Sequence, residues 1–123
     1  MKTYFVSGHL DIAAEEFLEH YAWRLQAAVD EGATFVVGDA RGCDTRAQNF
    51  LIKAGCERVT VYHMLHSPRS NVGFPTAGGF SNDDERDAAM TAVSTDDIAW
   101  VRPGREKSGT ANNLKRRATR LPV

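Results

Sequence analysis

Cysteine is almost missing. Cys43 and Cys56 are the only two in 123 residues. They form no C-x-x-C pair, so the chain is expected to be reduced and cytoplasmic, not stapled by disulfides. No leader is evident either, because Met1-Lys2 runs straight into a β-rich segment. No apolar run approaches the roughly 20 residues that span a bilayer, so no membrane partner is expected. A dominant charge is absent too: the formal net charge is −1, which argues against a whole-surface electrostatic binder of nucleic acid. His9, His20, His63 and His66 fall into no zinc-ligand spacing with the cysteines, so no metal site is expected, and no cofactor. Cys43 has no evident base to make it a nucleophile. There is no Walker loop, no dinucleotide fingerprint, no internal repeat and no low-complexity tract.

What remains is an ordinary globular balance, 42% apolar and 25% charged, in a chain long enough for one domain around one core. The charges are segregated. Residues 81–97 carry six acids against Arg86, and residues 102–120 carry seven bases against Glu106. The two tracts read either as solvated faces or as a local anion site near the C-terminus; Lys115, Arg116 and Arg117 read as a solvated face.

Strand and helix signals alternate. Residues 3–7 form a short β-rich run. Asp11 is placed to cap a helix over 12–31, whose apolar residues recur every three or four positions, and Gly32 ends it. Residues 33–37 are a second strand, 45–53 a helix, and 58–62 an alternating third strand. Residues 63–80 read as a long loop of functional or mobile character. A helix follows over 83–93, a fourth strand over 98–101 and a helix over 110–120, and 121–123 resemble the start of a last strand. Trp23 and Trp100 are expected in the core. The alternation predicts an α/β fold, a three-layer Rossmann-like parallel sheet with helices on both faces.

In such sheets ligands lie beyond the carboxyl ends of the strands. Three loops reach that edge, over 7–11, 38–44 and 102–110, each with glycine beside a hydroxyl, a base or both. A glycine turn lets backbone N–H groups point inward, and the helix that follows presents its positive end, so the turn favours phosphate. In the second loop Gly42 is expected to allow close approach, Arg41 to add a charged donor, and Asp44 to cap the helix or hold a ribose hydroxyl. In the third, Ser108, Gly109 and Thr110 open the last helix.

"SGH.D" after the first strand, "GDARGCDTRAQNFL" after the second, "ERDAAM" before the fourth and "PG....GTANNLKRRA" near the end resemble, in order and spacing, the SLOG superfamily of Rossmann-like domains. The likeness is greatest to its YspA-like branch, related to the LOG phosphoribohydrolases and the DNA-processing protein A domain. The resemblance covers nearly the whole chain. It implies a nucleotide or nucleotide-derived ligand held by Ser7, Gly8, His9, Gly38, Ala40, Arg41, Gly42, Asp44, Arg86, Met90, Ser108, Gly109 and Thr110. Arg86 and Met90 match the LOG R-x-x-x-M pattern, and Arg86 is expected to face the cleft and pair with phosphate or position a sugar. Asn113 stands where LOG enzymes carry a catalytic glutamate. An amide offers no charge to a sugar cation, so the resemblance favours a binding module. The alternative is an N-glycosidic hydrolase or deoxyribosyltransferase acting on nucleoside 5′-monophosphates, with Arg86, Glu85 and Asp44 as its catalytic candidates. A DNA-associated protein ranks third. An edge left open at 121–123 leads us to expect a homo-oligomer.

Overall fold

The structure, a computed structural model, describes residues 1–120. The expected strand at 121–123, and the edge that suggested a second copy, lie outside the described residues. The elements are β1 (Thr3–Ser7), α1 (Ala14–Phe17), a π-helical turn (Leu18–Ala22), α2 (Trp23–Asp30), β2 (Thr34–Gly38), α3 (Cys43–Lys53), β3 (Val59–Met64), β4 (Thr76–Phe80), α4 (Asp83–Val93), β5 (Asp96–Ala99) and α5 (Gly109–Arg120). The five strands form one parallel sheet in the order β4-β3-β2-β1-β5. The chain steps outward from β1 to β4 and then crosses back to lay β5 on the far side of β1. Strand order therefore reverses at β1, and the expected three-layer α/β fold is present.

Alternation along the strands divides the core. Val6, Phe35, Val37, Val59 and Val61 meet Phe17, Tyr21, Leu25, Ala47 and Leu51 of the helices on one face. Phe5 and Val36 turn to the other face and meet Met90 of α4, beside which α5 packs. Burial of these side chains stabilises each layer by about 1.5–3 kcal/mol per large residue.

Several local expectations are corrected. The first helix starts later than expected, with Ala13 as its cap residue. The Ala13 N–H donates to Glu16 Oε1 at 2.9 Å, while Asp11 accepts from Arg102 at 3.2 Å. Trp23 is 65% exposed, its indole N–H donating to the Glu19 carbonyl, whereas Trp100 packs against the core and stacks on His20 at 4.0 Å. Part of the supposed long loop is β4. Its Thr-Ala-Gly-Gly-Phe sequence has no alternation to reveal it, and Gly78 is needed because a Cβ there would stand 2.0 Å from the His63 ring. The fifth strand begins at Asp96, earlier than its apolar residues suggest, where its backbone pairs with Tyr4 of β1 and Arg117 binds the Asp97 carboxylate.

The π-helical turn has a definite task. β1 and β5 pair as far as Ser7 and Ala99. One residue later the Trp100 N–H donates to Tyr21 Oη at 2.9 Å, and Tyr21 Oη donates to the Ser7 carbonyl at 2.6 Å. The phenol, fully buried, thus replaces a ladder hydrogen bond where the two strands part. Tyr21→Phe would leave both backbone groups unpaired, and is expected to lower the unfolding free energy by about 1–3 kcal/mol. Urea denaturation checks this, and a loss below about 0.5 kcal/mol would show that the phenol is dispensable.

Candidate functional site

A cleft of about 710 Å³ opens beyond the carboxyl ends of β1, β2 and β5. It lies at the reversal point of the sheet, where open α/β folds bind ligands, and its size suits a small molecule. Residues 7–10, the turn after β2, the N-terminal half of α4 and the start of α5 form its walls, and Arg69 and Ser70 of the β3–β4 connection close one side. That connection is held in place. The Gln48 amide donates to the carbonyls of Gly38 and Ser70 and accepts from the Val72 N–H, and Asp39 accepts from the Arg69 N–H at 2.8 Å.

Ser7, Gly8, His9, Gly38, Ala40, Arg41, Asp44, Arg86, Met90, Ser108, Gly109 and Thr110 all line this cleft. Two expected residues do not. Gly42 has φ +76°, and a Cβ on it would stand 2.2 Å from the Leu10 carbonyl oxygen. Its close approach is therefore to the backbone of the β1–α1 loop, where the Cys43 N–H also donates to the His9 carbonyl. Glu85 is turned away from the cleft at the start of α4, where its carboxylate accepts from the Ser81 N–H.

Arg86 faces the cleft, but its guanidinium is already engaged. Nη1 donates to Asp39 at 2.6 Å, and Nε and Nη2 donate to Asp87 at 3.2 and 3.0 Å. Asp83 lies 3.1 Å from Nη1. The guanidinium expected to meet phosphate or a sugar is thus held in an ion-pair network on the cleft wall. Burial alone would raise the proton affinity of Asp39, but two-pronged bonding by Arg69 and the charge of Arg86 hold its pKa at about 2.

Asp44 behaves oppositely. Burial raises its pKa to about 7, the charges of Asp87 and Asp39 add to that, and Arg86 and the Ala40 N–H only partly oppose it. Its Oδ2 accepts from Ala40 N–H at 3.1 Å. Its other oxygen has no hydrogen-bond partner among the described residues. Asp87, which the sequence did not single out, lines the cleft between Arg86 and Asn113, and burial raises its pKa. Asn113 is buried, and its Oδ1 accepts from Arg116 at 2.7 Å.

The other walls supply donors. Ser7 Oγ is buried with no hydrogen-bond partner among the described residues. His9 Nε2 accepts from the Arg102 N–H at 2.9 Å. Burial, then the charges of Arg105 and Arg102, lowers its pKa, so the ring is neutral and carries its proton on Nδ1. Ser108 caps α5 by accepting from the Ala111 N–H, which leaves the Gly109 and Thr110 amides without acceptors among the described residues. A Cβ at Gly109 would meet nothing within 4 Å. Arg41, exposed at the rim, has no ion-pair partner among the described residues.

Cys43 is fully buried, and that burial pushes its thiol pKa up. No group of three or more His, Cys, Asp or Glu among the described residues could hold a metal ion, and no helix among them is long and apolar enough to cross a membrane. The basic tract is largely paired rather than solvated. Arg102 binds Glu16 and Asp11, Arg116 binds Asp84, and Arg117 binds Asp97 and Ser94. Comparison with protein-family models, with curated proteins and with solved structures finds no match.

Proposed function

We propose that the chain binds a nucleotide or nucleotide-derived phosphate ester in this cleft, as a SLOG-like binding module. The observation that carries the reading is the convergence of unpartnered donors on this one cleft. Ser7 Oγ, the first two amides of α5 and the Arg41 guanidinium stand at the reversal point of a parallel sheet. The positive helix end and the amides favour phosphate there. The carboxyl of Asp87, deeper along α4, suits the hydroxyls of a sugar. Self-association belongs to the same proposal, because among the described residues β4 and β5 each pair on one side only; sedimentation measures it.

Hydrolysis or transfer at the N-glycosidic bond is the second reading, favoured by the buried carboxyl of Asp44 and the half-buried carboxyl of Asp87 in one cleft. Release of free base from nucleoside monophosphates would bring it forward. Association with DNA loses its main support, since most of the basic tract pairs with acids of the same chain.

Gly109→Val tests the binding reading. The fold leaves room for the side chain, so its melting temperature is expected to stay near wild type. The valine would cover the amides that receive phosphate. A nucleotide at 100 times its Kd stabilises wild type by about 2.7 kcal/mol, and this shift is expected to vanish in Gly109→Val. A variant stabilised as much as wild type would place the phosphate elsewhere.

A further inference from the structure

We infer that Asp44 enters the cleft as a neutral carboxyl that donates its proton to an anionic oxygen of the ligand, so that ligand and proton bind together. The inference rests on the nucleotide reading above and adds the chemistry of one contact. Asp44 is 7% exposed, and the missing side chain of Gly38 makes its space, because a Cβ there would stand 2.5 Å from Asp44 Oδ2. Oδ2 is held as an acceptor by Ala40. The other oxygen is therefore the one open to a ligand, on the same cleft as the unpartnered hydroxyl of Ser7. The end of β1 thus offers a buried unpartnered hydroxyl, and the first turn of α3, which follows the neighbouring strand β2, offers a carboxyl oxygen open to the cleft.

Burial favours the neutral form of Asp44, and the charges around it divide, Arg86 opposing and Asp87 and Asp39 adding to the effect of burial. From the end of β2 comes Asp39, and from α4 come Asp83, Arg86 and Asp87. From the β3–β4 connection comes Arg69, which binds Asp39 and Asp83. The β1–α1 loop contributes only neutral His9 and α5 only the amide of Asn113, while Arg116 is turned onto Asn113 and Asp84. Cys43 on its own helix is an un-ionised thiol. The β2–α3 turn adds Arg41 and the connection before α5 adds Arg105, which binds Asp11, both on the cleft wall. Asp39, Asp44, Asp83 and Asp87 thus surround Arg69 and Arg86, both already bound by carboxylates other than Asp44. An incoming phosphate adds negative charge. An ionised Asp44 would repel it, whereas a protonated one donates a hydrogen bond. This agrees with the raised pKa of the group, and the sign follows. The ligand raises that pKa further, so affinity is full below about pH 7 and falls as the pH rises through the free protein's value.

Calorimetric titration of the full chain with adenosine 5′-monophosphate, for wild type and for Asp44→Asn, tests this. Asparagine keeps a donor at the open position without a titrating proton. Between about pH 6 and about pH 9 wild-type affinity is expected to fall about tenfold more than that of the variant, the phosphate's own ionisation being common to both. Wild type alone, titrated near pH 8 in two buffers of different ionisation enthalpy, is expected to take up a proton on binding, which keeps the test open should the variant fail to fold. Parallel pH profiles, or binding without proton uptake, would overturn the inference and leave the nucleotide reading standing. Failure to bind the nucleotide at every pH would overturn both.

Discussion

Gly42→Ala is expected to destabilise the protein by about 3–5 kcal/mol, a large share of the 5–15 kcal/mol typical of a domain. Two independent effects add. The backbone stands at φ +76°, which a side chain tolerates poorly, and the new Cβ would lie 2.2 Å from the Leu10 carbonyl oxygen and 2.8 Å from that of His9. Neither atom can yield cheaply, because both belong to the loop whose His9 carbonyl accepts from Cys43. Urea denaturation measures the loss. Those molecules that remain folded are expected to keep their nucleotide affinity, since Gly42 does not line the cleft. A stable Gly42→Ala variant that no longer binds would restore a ligand-contacting role to this glycine.

Arg86→Ala is expected to cost about 3–5 kcal/mol, because it leaves buried carboxylates without their shared cation. Asp39 would keep Arg69, but Asp87 would lose its charged partner and Asp44 its nearest cation. Arg86→Lys is expected to recover only part of this, since one ammonium cannot reproduce a planar fork that grips Asp39 and Asp87 at once. The deficit of Arg86→Ala is expected to shrink as the pH is lowered from about 8 to about 5, where Asp44 takes up a proton and ceases to need a counter-charge; the burial that raises the pKa of Asp87 acts in the same direction. Thermal denaturation over that pH range checks both size and sign. An Arg86→Lys variant of wild-type stability that had lost nucleotide affinity would make the guanidinium a direct ligand contact.

Parallel strands announce themselves through short apolar runs such as 33–37, and glycine turns mark their carboxyl ends. The α/β alternation and the three loops around the cleft were therefore legible in the sequence. So were most of the residues on its walls, because they follow strand ends directly. What could not be read depends on partners far apart in the chain. Arg86 reads as a phosphate contact until Asp39, 47 residues earlier, is found on its guanidinium. Asp87 is indistinguishable from the solvated acids beside it in sequence, although it is held between Arg86 and Asn113. Tyr21 counts as one more apolar position of a helix, and nothing local shows that its hydroxyl parts β1 from β5. Gly42 reads as a phosphate-turn glycine, when the atom it accommodates belongs to Leu10. The strand β4 fails for a different reason, since an edge strand with two adjacent glycines has neither alternation nor β-propensity to reveal it.

Amide chemical-shift mapping of 15N-labelled protein with adenosine 5′-monophosphate tests the central claim most directly. The account predicts that the amides of Ser7, Gly8, His9, Ala40, Gly109 and Thr110 shift together along one binding curve, because they share the cleft at the reversal point of the sheet. Saturating nucleotide that leaves those six amides unmoved, or shifts confined to another face of the molecule, would contradict it.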